Sequence, residues 1–218
     1  MVKEFSVAMA LVDFIPVILF AVAAVVLQRD LYAKMSKGAF ALFAAGTMDI
    51  VFAGALKALY KLLYAAGVCD FDVLSTLFMP LQAIGFMLAG TGVVAMLCHR
   101  QTSGAALPAA VAPAAFSGTP VFIALMVLGL AGMNTGLCIA GARMKKPAVV
   151  VFFIISFVCS LAMGYLSSRD FTQEMMNWVA EGVNIVGQGA FLAGALVLHK
   201  AGFGEFDLKG EKNDGQAA

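Results

Sequence analysis

Apolar residues run along this chain in long blocks, and the polar residues gather in short breaks between them. The blocks fall at about 6–28, 37–66, 73–99, 119–142, 147–167 and 173–199. Each approaches or exceeds the ~20 residues that an α-helix needs to cross the hydrocarbon core of a bilayer. The pattern predicts an all-α membrane protein, a single polytopic domain over residues 1–200. After Ala201 the chain turns polar and Gly-rich, so 201–218 is expected to be a disordered cytoplasmic tail.

One stretch resists this reading. Thr102–Gly118 carries no charge and is rich in Ala and Pro. Pro108 and Pro113 argue against a regular helix, although membrane helices tolerate proline better than soluble ones. As a linker the stretch leaves six spans; as a helix it makes seven. Loop charge separates the two. With seven spans, Arg29, Lys34, Lys37, Arg100, Arg143, Lys145, Lys146 and Lys200 share one side, against Lys3 and Arg169 on the other. With six spans the same residues divide evenly. Cytoplasmic loops carry the excess of Lys and Arg. Seven transmembrane helices are therefore expected, with the N-terminus outside and the C-terminus cytoplasmic; six is the alternative. The first span also follows Lys3 and Glu4 and precedes Arg29, Lys34 and Lys37, which marks an uncleaved helix rather than a signal peptide.

The two halves of the chain, about 5–100 and 119–200, echo one another across 101–118. Met35-Ser-Lys37 recurs as Met144-Lys-Lys146, and Asp70-Phe71 recurs as Asp170-Phe171. The spacing from Asp70 to His99 equals that from Asp170 to His199. Three helices, a connecting helix and three more would place both halves in the same orientation, a 3+1+3 parallel repeat.

Composition narrows the classes further. Hydrophobic residues make up 62% of the chain and charged residues 12%, with a mean hydropathy of +0.94. A net charge of +1 excludes a strongly basic nucleic-acid binder. The cysteines (Cys69, Cys98, Cys138 and Cys159) form no CxxC, and both histidines sit at helix ends, so no metal, haem or other cofactor is expected. The absence of HExxH and GxSxG argues against an intramembrane lipid-modifying enzyme.

The candidate chemistry lies within the spans. In the last one, Asn177, Glu181, Asn184 and Gln188 step by four, three and four and so share one helical face. Lipid cannot satisfy an amide or a carboxylate, so this face is expected to look into the bundle or a wet cavity. In the second span Asp49, Ala53, Lys57 and Lys61 recur every four residues. Asp49 lies ~18 Å from the start of its helix, near the membrane centre. With seven spans, Lys57 and Glu181 sit at similar depth and could pair; with six they lie towards opposite faces. Gln82 in the third span is a weaker candidate. So is Asn134, where a glycine-rich stretch could let the helix unwind. Lys61 reads as interfacial, and Asp13, three residues before Pro16, as a helix-capping acid.

The expected function is an integral membrane transporter or channel for a small polar or charged solute or ion. Its polar pocket would be built from Asp49, Lys57, Glu181, Asn184 and Gln188, with Asn177, Gln82 and Asn134 in support. A seven-helix sensor, or an accessory subunit of a larger complex, is the alternative. The lipid bilayer of a bacterial inner membrane is the expected setting, and a homo-oligomer is compatible with it.

Overall fold

The structure, a computed structural model, describes residues 6–98, 119–167 and 174–206. Every regular element among them is helical: α1 (Val7–Val12), α2 (Phe14–Leu31), α3 (Lys37–Ala65), α4 (Asp72–Cys98), α5 (Thr119–Arg143), α6 (Pro147–Ser167) and α7 (Glu174–Lys200). α1 and α2 together form one apolar run, so among the described residues six helices are long and apolar enough to cross a membrane. That number matches the six-helix alternative and is one fewer than the seven expected from loop charge. The expected extra span at 102–118 lies outside the described residues. The protein is an integral membrane protein of the multi-span helical class.

Local chemistry explains the helix ends. Ser36 caps α3, its Oγ accepting from the Ala39 amide at 3.2 Å. Pro147 opens α6, where its missing N–H would have had no partner. α7 closes on Gly202, whose φ of +79° lets the Phe203 amide reach back to the Leu198 carbonyl. The chain after α7 was expected to be a polar tail, but its first residues fold back instead. Phe203 is wholly buried, and Lys34 donates to the Phe206 carbonyl. Residues 207–218 lie outside the described part.

Contacts between glycines and their neighbours set the helix directions. α3 and α4 run antiparallel: Gly46 meets Gly85 and Ala89, while Gly92 meets Ala39 and Phe43. α6 runs antiparallel to α7, with Gly187 against Cys159 and Gly194 against Phe153. α4 and α5 run parallel. Gly129 lies against Phe86 and Gly90, and farther along both helices Gly136 lies against Val93 and Leu97. Small residues permit this approach, because membrane helices associate through close packing rather than through the hydrophobic effect.

Cys98 and Thr119 consequently stand at opposite ends of the bundle. α2–α3–α4 and α5–α6–α7 then run in the same sequence of directions. α2 and α7 are also parallel, joined by the Phe20–Phe191 ring pair at 5.3 Å and by Asp30 Oδ1 against His199 Nδ1 at 2.9 Å.

Candidate functional site

Packing is uneven along the bundle axis. The half that holds the α7 C-terminus is filled by Leu27, Leu31, Phe43, Leu198 and Phe203, each essentially inaccessible. Above them Phe191 stacks on Phe20 and takes the edge of Phe153 at 5.4 Å. The other half contains a cavity of about 300 Å³. It reaches from Asp13, Lys61 and Asn177, near helix ends, inward to Ile50 and Gln188, near helix middles.

The cavity wall is unusually polar for a membrane interior. α7 contributes Asn177, Glu181, Asn184 and Gln188; α3 contributes Lys57 and Lys61; α4 contributes Phe78 and Gln82. Asp13 enters from the start of α2. The α7 face is compact because its steps of four, three and four oscillate about one direction on a helix that turns ~100° per residue. Hydrocarbon could not have solvated those groups, so the face turns inward.

Two ion-forming groups have defined partners. Lys61 pairs with Asp13, whose side chain is 8% exposed. The Lys57 ammonium lies over the Phe78 ring, 4.4 Å from its centroid, within the range of a cation–π contact. Glu181 is 5% exposed and lies within hydrogen-bonding reach of Asp13, in the field of Lys57 and Lys61. Its Oε1 is buried with no hydrogen-bond partner among the described residues. Asp13 therefore does not cap a helix. It makes no side-chain capping bond at the α2 N-terminus, and α1 runs into α2 through it. Lys61, four residues from the end of α3, turns into the bundle rather than away from it, its side chain only 13% exposed. A sequence signal for this pair existed: Asp13 and Lys61 are charges inside apolar runs, and each needed a partner.

The structure brings together Lys57, Gln82, Asn177, Glu181, Asn184 and Gln188 from the residues singled out in sequence. It leaves out Asp49 and Asn134. Asp49 shared an i, i+4 series with Lys57 and Lys61, but each four-residue step overshoots a full turn by ~40°. Over the three steps to Lys61 the series swings by ~120°, so Asp49 stands beside the outward residues Met48 and Phe52, which are 68% and 56% exposed. Asn134 is 3% exposed on an unbroken α5 and donates from Nδ2 to its own helix, at the Leu130 carbonyl, at 2.9 Å. No unwound backbone accompanies it, and its glycine neighbours serve close packing against α4.

Among the described residues no three His, Cys, Asp or Glu side chains cluster in a way that could hold a metal ion. What the cavity offers is hydrogen bonding from four amide side chains, one ammonium on an aromatic face and a carboxyl pair beside a second ammonium. Such a set can hold and orient a small polar molecule away from lipid. Compared with family models, curated proteins and solved structures, the chain matches none.

Proposed function

We propose that this protein is a membrane transporter for a small polar or charged solute, which it takes into the cavity between α3 and α7. The observation that carries the reading is the co-location of Lys57, Glu181, Asn184 and Gln188 on one cavity wall at bilayer depth. Buried polar groups in a membrane are costly unless they serve a wet path or a ligand. The shape supports the same reading. A cavity lined from residues near one end of the bundle to Ile50 and Gln188 at its middle, with the Phe20–Phe191–Phe153 cluster farther along the axis, fits one half of an alternating-access path. Pro80, inside α4 between Phe78 and Gln82, removes the amide that would have bonded the Thr76 carbonyl, which weakens the helix beside the cavity. Rocking of the α2–α4 triplet against the α5–α7 triplet would move that layer.

The loop charges support a cytoplasmic C-terminus, which gives the cavity an outward opening. Uptake of a panel of labelled carboxylates, amines and polyols into proteoliposomes tests the reading. At least one class should accumulate, and Gln188→Leu should abolish its uptake. Equal leakage into protein-free liposomes for every class would remove the transporter. A second reading, a subunit of a larger membrane assembly, draws support from Asp49, a carboxylate beside outward-facing apolar residues in the middle of α3. Cross-linking from an Asp49→Cys variant in native membranes tests that reading.

A further inference from the structure

Among the described residues, four ionisable groups line the cavity: Asp13 from the start of α2, Lys57 and Lys61 from α3, and Glu181 from α7. α4 and α6 bring only Phe78, Gln82 and Met163 to the same space. The Asp13 and Glu181 carboxyls lie within hydrogen-bonding reach of each other. Two carboxylates offer only acceptors, so a hydrogen bond between them needs one shared proton. A pair holding that proton carries a single negative charge, and Lys61 stands against Asp13 to balance it. Lys57 then remains. Its recorded partner is the face of Phe78, and no carboxylate among the described residues lies within ion-pair distance of it. Counted over the described residues, the protonated cavity therefore holds one positive charge in excess.

Resting on the transporter reading, we propose that the solute is a small organic carboxylate, seated on Lys57 and bound together with one proton held between Asp13 and Glu181. A monoanion cancels the excess charge. A phosphate monoester, with about −1.5 to −2 at neutral pH, would overshoot it. The amides of Gln82, Asn184 and Gln188 supply the remaining donors to the anion, and the apolar wall of Pro16, Val17 and Ile50 takes its hydrocarbon part. Loss of the pair's proton returns the cavity to neutrality and removes the attraction. Proton and anion are therefore linked ligands, each raising the affinity for the other by the same factor. The proton comes from bulk water on the side to which the cavity leads and leaves with the anion on the other.

Isothermal titration of the purified full chain in nanodiscs decides this, with benzoate and lactate as probes and benzamide and lactamide as their uncharged counterparts. The carboxylates should bind more than about tenfold tighter than the amides, a difference of about 1.4 kcal/mol. Between acidic pH and the onset of lysine titration, carboxylate affinity should fall as pH rises. Buffers of differing ionisation enthalpy should show proton uptake approaching one per anion at the alkaline end. Glu181→Gln, with a permanently neutral side chain, should lose both the pH dependence and the proton uptake of carboxylate binding. Lys57→Gln should abolish the preference for carboxylate over amide. Equal binding of amides and carboxylates overturns the proposal, as does proton uptake that persists in Glu181→Gln. If only amines or polyols are bound and carried into proteoliposomes, the carboxylate assignment falls and the transporter stands. If carboxylates bind as described but never accumulate in proteoliposomes, the assignment stands and transport falls. Binding of no probe in any class removes both.

Discussion

A β-carbon placed on Gly90 would stand 2.2 Å from the carbonyl oxygen of Gly129. No side chain fits there, so α4 and α5 touch backbone to backbone and their direction is set at close range. The contact is reciprocal, because a β-carbon on Gly129 would meet the Phe86 carbonyl at 2.3 Å. Since α4 and α5 are parallel, α7 comes to lie parallel to α2, and Glu181 is delivered to the level of Asp13 and Lys57. A packing contact far from the cavity thus underlies the cavity's chemistry.

Gly90→Ala should lower the thermal midpoint of the purified protein, with a loss of about 1–3 kcal/mol expected for overpacking of a tight interface. Gly182→Ala is the matched control on α7, where an added β-carbon meets nothing within 4 Å. It should leave the midpoint unchanged or raise it slightly, because alanine is the better helix former. Equal destabilisation by the two changes would contradict the packing described here.

Helix direction can be read chemically. In a background without other cysteines, Cys69 and Cys98 are both exposed and stand at opposite ends of α4. A membrane-impermeant maleimide applied to intact cells should reach one and spare the other. Thr119→Cys should label with Cys69 and not with Cys98. Labelling of Thr119→Cys together with Cys98 would mean that α4 and α5 are antiparallel.

At the sealed end, Asp30 is 5% exposed and holds His199, while its Oδ2 has no hydrogen-bond partner among the described residues. His199→Ala would remove the partner that the buried carboxyl has among the described residues, at a cost of about 1–3 kcal/mol. The loss should appear first in the turn that follows α7, where Gly204 packs beside Asp30 and Phe203 is buried. Limited proteolysis should cut nearer to Gly202 in the variant than in the parent, while solute affinity in the opposite half stays the same.

Cavity amides and amides elsewhere should separate cleanly. Asn184→Ala and Gln82→Ala remove donors that face the cavity and should weaken solute binding several-fold with a small change in stability. Asn134→Ala and Asp49→Leu should leave binding unchanged. For Asp49→Leu, membrane insertion should become easier, because a carboxylate at the centre of a spanning helix costs about 2.5–3.5 kcal/mol on insertion scales. Loss of binding in either of the last two variants would place that residue in the site after all.

The α7 face was legible in the sequence, whereas the α3 face was legible only in part. Both series looked periodic, but alternating steps of four and three track the helix surface and repeated steps of four do not. Asp49 was misassigned for that reason. Lys57 was placed at the depth of Glu181 by counting residues from helix ends, and the two do line one cavity. In sequence Asp13 and Lys61 read as a cap and an interfacial lysine: their place inside apolar runs shows that each needs a partner, but not that the partner lies on another helix. The aromatic layer of Phe20, Phe153 and Phe191 could not be singled out among the eighteen phenylalanines of the chain.

Composition and block length by themselves determined that this chain lives in a membrane as a set of helices. The bilayer's lack of hydrogen-bonding partners leaves only helices and closed barrels, and unbroken apolar blocks of ~20 residues suit the helix rather than the alternating strands of a barrel. They determined helix boundaries to within a few residues for the same reason, and they marked the charges that needed company. Which helix stands beside which, and in what direction, was decided by the tertiary structure alone. That choice rests on backbone-to-backbone fits at glycines such as Gly90 and Gly129, a matter of shape that hydropathy does not encode. The chemistry of the cavity follows from it, because a carboxyl pair exists only where two distant helices bring Asp13 and Glu181 to one place.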